Sequence, residues 1–399
     1  MRPVDHIALT EEFSAHNYAP LDVVLSEGEG AWVRDVEGRR YLDLLSGYSA
    51  LNFGHRHPRL IAAARAQLDR LTLTSRAFYN DKLGLLCRDL ATLCGLDSVL
   101  LMNSGAEAVE TAIKASRKWG YEVKGVPPDE AEIICCSNNF SGRTTTIISF
   151  STAPSARQGF GPFTPGFVIG PYGDAAGIGA LMTPRTVAVI VEPIQGEAGI
   201  IVPPVGFLRD LRQLCTERSV LFVADEIQTG LCRTGEVFAC DHEQVKPDVY
   251  ILAKSLGGGI VPISAVVGRG EVMSVFTPGT HGSTFGGNPL ASAIALEVLA
   301  LIREEQPHLR ARELGDYFLG RLRAIPSDIL GEIRGRGLFV GADIRPAAGT
   351  AKHFCHLLQD EGLLCKDTRE QTIRFAPPLV ISREDLDHAL AGIERVFRR

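Results

Sequence analysis

Two ionisable residues, Asp225 and Lys254, each follow an apolar run. Asp225 comes after Ser-Val-Leu-Phe-Val-Ala at 219–224, and Lys254 comes after Asp-Val-Tyr-Ile-Leu-Ala at 248–253. Short runs rich in β-branched residues predict buried strands of a parallel sheet. Because open α/β sheets bind ligands at the carboxyl ends of their strands, we expect this carboxylate and this amine to meet in one site.

A carboxylate and an amine in one site suit the chemistry of pyridoxal 5'-phosphate (PLP). The carboxylate pairs with the pyridinium nitrogen of the cofactor, and the amine forms a Schiff base with its aldehyde. An aspartate, with an ordinary pKa of about 3.9, stays ionised beside that cation. A free lysine, with an ordinary pKa of about 10.4, is mostly protonated, and the Schiff base holds it in a reactive form. The alternative for Lys254 is a surface lysine before a glycine-rich turn.

A third segment, Asn-Ser-Gly-Ala-Glu-Ala at 103–108, joins a predicted strand to a predicted helix. The N–H groups of Ser104, Gly105 and Ala106 at a helix N-terminus suit a phosphate monoester. An ordinary turn capped by Ser104 is the alternative, and the nearby pair of charges favours the phosphate. No lysine follows a glycine and no Gly-x-Gly-x-x-Gly occurs, so the common nucleotide-binding motifs are absent.

The elements that must position these residues alternate between strand and helix. The spacing of apolar residues predicts helices at 105–119 and 206–217 and strands at 98–102, 131–136, 186–191, 219–224, 248–252 and 263–267. This alternation predicts an α/β fold whose large domain has a mostly parallel sheet covered by helices on both faces. Before it, the sequence predicts a hairpin over 31–45, turning at Glu37-Gly38, and a helix from about 58 to 73.

The pattern changes after Asn288-Pro289. Long helical stretches there surround short strands at 333–343, 362–366 and 371–375, and a last helix begins near 383. We therefore predict a large cofactor-binding domain over 51–287 and a smaller α+β domain over 288–399, with the N-terminal segment 1–50 packing against the smaller one. A chain of 399 residues is long enough for this division.

Composition excludes several other classes of protein. The formal net charge of −6 leaves no basic footprint for nucleic acid, and no apolar run is long enough to span a membrane. The first residues do not resemble a targeting peptide, and nine cysteines without paired spacing favour the reducing cytoplasm. His55 and His57 lack a surrounding ligand set, so we predict a turn there and no metal site.

Five motifs, in order along the chain, resemble those of the class III, fold type I PLP-dependent aminotransferases. They are the 103–108 segment, Val-Glu-Pro-Ile-Gln-Gly-Glu-Ala-Gly at 191–199, Asp-Glu-Ile-Gln-Thr-Gly at 225–230, the Lys254 segment and His-Gly-Ser-Thr-Phe-Gly-Gly-Asn-Pro at 281–289. The resemblance implies that Phe140 stacks on the cofactor ring and that Ile227 and Gln228 lie against it. It also implies that Ser283 and Thr284 reach the phosphate from a neighbouring subunit, in a homodimer with active sites at the subunit interface.

Further stretches, at 15–21, 71–80, 117–121, 159–167 and 373–379, resemble the ornithine δ-aminotransferase branch of that family. The implied reaction transfers the δ-amino group of L-ornithine to 2-oxoglutarate. The implied substrate residues are Tyr79 and two functional pairs. In the first pair, Arg143 binds the α-carboxylate of ornithine and Tyr48 its α-amino group. In the second, Glu197 masks Arg374 until 2-oxoglutarate binds, although an ion pair of structural value only is the alternative.

One position departs from this branch, because Ser141 stands where its members carry tryptophan. The change either leaves the substrate pocket as it is or widens it, depending on where the serine side chain points. Transferases for N-acetylornithine, 4-aminobutyrate or lysine and an aminomutase of the same fold therefore remain alternatives, although Tyr48 argues against substrates without a free α-amine. A PLP-binding regulator is a more distant alternative, since no helix-turn-helix segment accompanies the core.

Overall fold

The computed structural model describes residues 1–398. Three sheets are formed in this part of the chain. Their strands are Leu25–Glu29 (β1), Trp32–Asp35 (β2), Arg40–Asp43 (β3), Ser98–Met102 (β4), Glu132–Cys136 (β5), Phe167–Gly170 (β6), Thr186–Val191 (β7), Leu221–Asp225 (β8), Val249–Leu252 (β9), Ser264–Gly268 (β10), Leu330–Arg336 (β11), Phe339–Ile344 (β12), Leu363–Leu364 (β13), Lys366–Thr368 (β14) and Thr372–Phe375 (β15).

The helices of the same residues flank these sheets. They are Pro3–Phe13 (α1), Ser46–Ser49 (α2), Pro58–Leu68 (α3), Leu83–Cys94 (α4), Gly105–Trp119 (α5), Thr145–Ile148 (α6), Pro154–Arg157 (α7), Ala175–Leu181 (α8), Phe207–Glu217 (α9), Gly270–Met273 (α10), Pro289–Glu305 (α11), Pro307–Arg323 (α12), Ala351–Asp360 (α13) and Arg383–Phe397 (α14). No helix within 1–398 combines the length and the apolar character that a membrane crossing requires.

The central sheet has seven strands in the order β4-β10-β9-β8-β7-β5-β6. Strands β5 to β9 pair in parallel, whereas β10 runs antiparallel to both of its neighbours, β4 and β9. The predicted α/β fold with a mostly parallel sheet is confirmed. Because β8 and β9 are parallel neighbours, with Asp225 opposite Ile251, their carboxyl ends lie at the same edge.

Both faces of the sheet are buried, which explains the continuous apolar runs of its strands. In β8, Leu221 and Val223 belong to the cluster that contains α5, while Phe222 and Ala224 belong to the cluster that contains α9. Full burial of one such large side chain stabilises the fold by about 1.5–3 kcal/mol. Two opposite clusters therefore hold β8 in place and fix the position of Asp225 at its end.

The start of α5 is set by a capping box. Ser104 Oγ accepts a hydrogen bond from Glu107 N at 3.2 Å, and Glu107 Oε2 accepts one from Ser104 N at 2.8 Å. Reciprocal bonds of this kind satisfy N–H groups that a helix terminus would otherwise leave open. The predicted helix over 105–119 has the same bounds in the structure, and its first turn lies at the same sheet edge as Asp225.

Two smaller sheets complete the fold. The predicted hairpin is formed by β2 and β3, and β3 also pairs in parallel with β13, so the N-terminal segment joins the C-terminal part of the chain. The other sheet has the order β11-β12-β15-β14, and its strand β15 contains Arg374. The domain boundaries near residues 50 and 287 stay predictions.

Some elements differ from the prediction. Helix α3 ends at Leu68, well before residue 73, and the stretch predicted at 333–343 is a hairpin of β11 and β12 that turns at Gly337, where φ is +53°. Strands β1 and β6 were not predicted. Strand β1, Leu-Ser-Glu-Gly-Glu, lacks the continuous apolar pattern that identified the central strands, and the apolar run of β6 has only three residues, Phe-Val-Ile, before Gly170.

Candidate active site

A cavity of about 490 Å³ opens at the carboxyl edge of the central sheet. Eight of the residues predicted to bind a cofactor line it: Ser104, Gly105, Ala106, Phe140, Asp225, Ile227, Gln228 and Lys254. They come from the ends of β8 and β9, the start of α5 and the loop after β5. The fold thus brings together residues that lie as much as 150 positions apart in the sequence.

Asp225 presents a buried carboxylate to this cavity, with only 4% of the residue exposed. Its Oδ1 accepts a hydrogen bond from Ile227 N at 3.2 Å, and its Oδ2 accepts one from Ser141 Oγ at 3.0 Å. Burial raises the pKa of Asp225 to about 6, against the opposing effect of these hydrogen bonds and of Lys254. A cation beside the carboxylate would favour its charged form.

Lys254 begins a short 3₁₀ turn, Lys254–Gly257, directly after β9 and Ala253, and its φ is +51°. A non-glycine residue in this region is strained by roughly 1–3 kcal/mol, a cost found most often at functional sites. Burial lowers the pKa of Lys254 to about 8, although Glu197 and Asp225 act in the opposite direction. A larger share of the amine is therefore unprotonated near neutral pH than in an ordinary lysine.

The first turn of α5 offers free donors at another wall of the cavity. The carboxylate of Glu107 accepts hydrogen bonds from the N–H groups of Asn103 and Ser104 at 2.9 and 2.8 Å. The N–H groups of Gly105 and Ala106 have no acceptor within residues 1–398. Two open N–H groups at the positive end of a 15-residue helix suit a phosphate.

Phe140 and Gln228 face the same space. The Phe140 ring is partly exposed, and its backbone N–H donates to Glu192 Oε1 at 2.9 Å, which fixes the loop that carries the ring. The guanidinium of Arg143 lies 5.5 Å from the centre of that ring. Gln228 Nε2 donates to the carbonyl oxygen of Tyr48 at 3.2 Å, so the segment of α2 is attached to the loop after β8.

Glu197 and Arg374 form the predicted ion pair. Arg374 Nη1 donates to Glu197 Oε1 at 2.8 Å, and 1% of the Arg374 side chain is exposed against 29% for Glu197. Burial opposes ionisation of Glu197, but the charge and hydrogen bond of Arg374 prevail and lower its pKa. Nε and Nη2 of Arg374 are buried and have no partner in the described chain. The guanidinium lies 5.2 Å from the centre of the Tyr48 ring.

A second cavity, of about 320 Å³, adjoins the first at Phe140 and Ser141. Arg143 and Glu197 line it together with Arg369. The site therefore has an inner part with Asp225 and Lys254 and an outer part with exposed arginines. This arrangement suits a small molecule that carries its reacting group at one end and a carboxylate at the other.

Besides Tyr48 and Arg374, three predicted residues do not line the two cavities of their own chain, namely Tyr79, Ser283 and Thr284. Ser283 Oγ accepts from Asn103 Nδ2 at 2.9 Å beside the start of α5, while Thr284 is exposed. Tyr79 is fully exposed in the segment between α3 and α4. The within-chain geometry thus leaves the predicted roles of these three residues untested.

Among the polar cavity residues, Glu192 and Asn103 lie in motifs that the sequence analysis quoted but received no role of their own there. Glu192 follows β7 directly and Asn103 follows β4, as Asp225 ends β8. The rule that identified Asp225, a polar residue at the carboxyl end of an apolar run, applies to both. Glu192 is buried, and burial together with the charge of Asp225 raises its pKa to about 8.

The residues of the inner cavity fit PLP. Each group of the cofactor has a matching partner: a buried carboxylate for the ring nitrogen, an amine for the aldehyde carbon, open helix N–H groups for the phosphate and an aromatic face for the ring. No cluster of three or more potential metal ligands occurs within residues 1–398. His55, one of the two histidines considered at the turn, pairs instead with Asp43 at 2.8 Å.

Comparison with known proteins agrees with this geometry. An ornithine aminotransferase of Brevibacillus brevis is 56% identical and aligns over 98% of this chain and 97% of its own. A structure of the Toxoplasma gondii ornithine aminotransferase, reported with partial PLP occupancy at its active site, has a TM-score of 0.98 and 48% identity and covers 100% of this chain and 94% of its own. An acetylornithine aminotransferase of Elizabethkingia anophelis has a TM-score of 0.91 and 44% identity, with coverage of 100% and 99%.

These relatives confirm the predicted resemblance to the ornithine δ-aminotransferase branch. Class III aminotransferases use PLP, so the predicted cofactor is confirmed as well. Residues 13–397 match the family described as Aminotransferase class-III, and the chain belongs to that family.

Proposed function

We propose that this enzyme transfers the δ-amino group of L-ornithine to 2-oxoglutarate, giving glutamate 5-semialdehyde and L-glutamate. The semialdehyde cyclises to pyrroline-5-carboxylate. The observation that carries the proposal is the pair of Glu197 and Arg374, a masked carboxylate-binding group beside the cavity of Lys254. The likeness to several ornithine aminotransferases at 52–56% identity supports the choice of substrate.

PLP, when bound, supplies an electron sink that accepts the electron pair released as the amine donor loses a proton from carbon. Asp225 keeps the ring nitrogen protonated, because its carboxylate is fixed in place and buried at the end of β8. Phe140 covers one face of the ring and excludes water from it. The N–H groups of Gly105 and Ala106 would hold the phosphate.

Lys254 would accept the proton of the substrate carbon and return it. A general base acts best when its pKa lies near the working pH, and burial brings the pKa of Lys254 to about 8. Its place directly after β9 keeps the amine at the sheet edge next to Asp225.

The outer residues select the δ-amino group. A donor with two amines must present the terminal one to Lys254 and hold its α-carboxylate and α-amine away from it. Arg143 lines the outer cavity and binds the carboxylate, since its planar guanidinium matches two carboxylate oxygens. Tyr48, whose ring centre lies 5.2 Å from the Arg374 guanidinium, contacts the α-amino group.

Glu197 and Arg374 let one site accept two substrates. While ornithine reacts, Glu197 neutralises Arg374 and leaves no free cation near Lys254 for the α-carboxylate. When 2-oxoglutarate enters, Glu197 moves away and the guanidinium binds the carboxylate next to the keto group. Two buried nitrogens of Arg374 without a partner, Nε and Nη2, are available for this contact.

We also propose a homodimer with active sites at the subunit interface. The inner cavity receives two N–H donors for a phosphate from its own chain, and the exposed Thr284 lies outside it. Exposed aromatic residues flank this region, namely Phe78, Tyr79 and Phe285. Aromatic residues exposed close together are typical of interfaces. A second copy that covers them would bring Ser283 and Thr284 to the phosphate of its partner.

A cytoplasmic location is proposed on different grounds. All nine cysteines are free, and eight of them are buried. Free buried thiols are typical of proteins in a reducing compartment.

The alternative donors are N-acetylornithine, 4-aminobutyrate and lysine. The purified protein, loaded with PLP and supplied with 2-oxoglutarate, should be assayed with each donor and with ornithine, and glutamate formation should be measured. Pyrroline-5-carboxylate is detected separately with o-aminobenzaldehyde. We expect the highest kcat/KM for ornithine, with equal amounts of the two products. A higher value for N-acetylornithine would contradict the proposed role of Tyr48 and the substrate assignment.

A further inference from the structure

Ser141, which stands where the related enzymes carry tryptophan, makes a contact that the sequence comparison does not predict. The residue is 6% exposed, and its Oγ donates a hydrogen bond to Asp225 Oδ2 at 3.0 Å. The other oxygen, Oδ1, accepts from Ile227 N at 3.2 Å. Because a carboxylate oxygen can accept more than one hydrogen bond, each oxygen keeps a lone pair for a further donor.

The loop holds Ser141 in one orientation. Before it, Phe140 N is bound to Glu192 Oε1 at 2.9 Å. After it, Gly142 has a φ of +132°, and a Cβ there would lie 2.9 Å from Ile147 Cδ1 and 3.0 Å from Ala106 Cβ. Phe140 and Gly142 are therefore both constrained. The backbone between them directs the Ser141 side chain towards Asp225.

The Asp225 carboxylate depends on these donors. It is 4% exposed, and neither of its hydrogen bonds comes from a cation. Two other titratable groups act on this site. Lys254 favours the negative charge of Asp225, whereas a charged Glu192 would oppose it. Burial disfavours the charged form, so each hydrogen bond that remains keeps the carboxylate ionised.

We propose that Ser141 is a positioning residue, whose hydroxyl orients the Asp225 carboxylate and supports its negative charge where the ring nitrogen of PLP binds. This rests on the proposed function, because it assigns Asp225 to that nitrogen. The serine acts on the cofactor side of the site, since its hydroxyl points to Asp225. The small side chain also leaves the outer cavity open next to Arg143.

The test compares Ser141→Ala, which removes the hydroxyl, with Ser141→Thr, which keeps it. Ser116→Ala is the matched control, because Ser116 is also buried and its hydroxyl donates only to a backbone carbonyl, Ala112 O, at 2.8 Å. The dissociation constant of PLP is measured for each protein. In parallel, ¹⁵N NMR of PLP labelled at the ring nitrogen reports the protonation of that atom.

Ser141→Ala should weaken PLP binding by roughly tenfold or more, the loss expected for one hydrogen bond to a charged group. Its ¹⁵N signal should move towards that of the unprotonated ring, because a less stabilised carboxylate holds the proton on nitrogen less well. Ser141→Thr and Ser116→Ala should resemble the wild type in both measurements.

Two results would overturn the positioning role. One is a Ser141→Ala protein that matches Ser116→Ala in affinity and ring-nitrogen signal. The other is a Ser141→Thr protein that behaves like the alanine variant, because the hydroxyl would then not be the group that acts. Failure of the proposed function is seen separately: a wild type that binds PLP but does not use ornithine overturns the substrate assignment, while the ring-nitrogen comparison still decides the role of Ser141.

Discussion

Replacing Glu197 by glutamine should separate the two half-reactions of this enzyme. The amide can still accept a hydrogen bond from Arg374 Nη1, but it no longer neutralises the guanidinium. A free cation then remains near Lys254 throughout the cycle. The α-carboxylate of ornithine would bind to it, and the wrong amino group would reach Lys254.

The size of the effect follows from the geometry of the pair. The misplaced α-carboxylate would gain a hydrogen bond to the charged guanidinium, worth about 1.5–3 kcal/mol, which corresponds to a factor of roughly 10 to 150 in rate. The Glu197 side chain is 29% exposed and solvent weakens the pair, so we expect a value near the lower limit. The ratio of kcat/KM for ornithine to that for 2-oxoglutarate should thus fall by about tenfold.

The assay is single-turnover kinetics of each half-reaction, followed by the absorbance of the bound cofactor. The pKa of Glu197 is lowered from its ordinary value of 4.5, so the ion pair is complete at neutral pH and weakens only in acid, as the pH falls through the lowered value. Glu361→Gln is the matched control, because Glu361 pairs with Arg395 at the same distance of 2.8 Å but lines neither cavity. Equal losses in both half-reactions of Glu197→Gln would refute the masking role.

Lys254→Ala should abolish turnover and the visible absorbance of the loaded protein, and a variant that keeps both contradicts its assignment. Without cofactor, the folded pKa of Lys254 is lowered from 10.5 to about 8. As the pH increases from about 8 to 10.5, the free energy of unfolding in urea should therefore increase for the wild type relative to Lys254→Ala. Below a pH of about 8 the difference between the two proteins should not depend on pH. Arg143→Met should lower kcat/KM for ornithine at least about tenfold in steady-state assays, since a substrate carboxylate loses its partner; a much smaller loss would place that carboxylate elsewhere. Tyr48→Ile should raise activity on 4-aminobutyrate relative to ornithine, and an unchanged ratio would remove Tyr48 from substrate selection.

The central strands and α5 could be predicted from the sequence because their burial leaves a clear pattern. The apolar runs that end at Asp225 and before Lys254 are buried on both faces, and Ser104 with Glu107 marks the start of α5. Strand direction could not be predicted in the same way. The run at 263–267 is apolar like the runs of the parallel strands, yet β10 is antiparallel to both of its neighbours. The direction of a strand depends on how the chain connects it to the preceding strand, and the spacing of apolar residues does not report that connection.

The inner site was predicted more completely than the outer one. Asp225, Lys254 and the start of α5 are placed by one rule of parallel sheets, so their meeting follows from the strand ends alone. The contact between Glu197 and Arg374 joins residues 177 positions apart, one in the loop after β7 and one in β15, and only the family resemblance indicated it. The direction of the Ser141 hydroxyl depends on the backbone conformation of its loop, and no sequence pattern predicted that conformation.

The origin of the transferred nitrogen tests the central claim most directly. L-Ornithine labelled with ¹⁵N at the δ-amino group, and separately at the α-amino group, is incubated with the loaded enzyme and 2-oxoglutarate, and the glutamate is analysed by mass spectrometry. We predict ¹⁵N in glutamate from the δ-labelled substrate and none from the α-labelled one. Label from the α position, or no labelled glutamate from either substrate, would contradict the proposed δ-aminotransferase reaction.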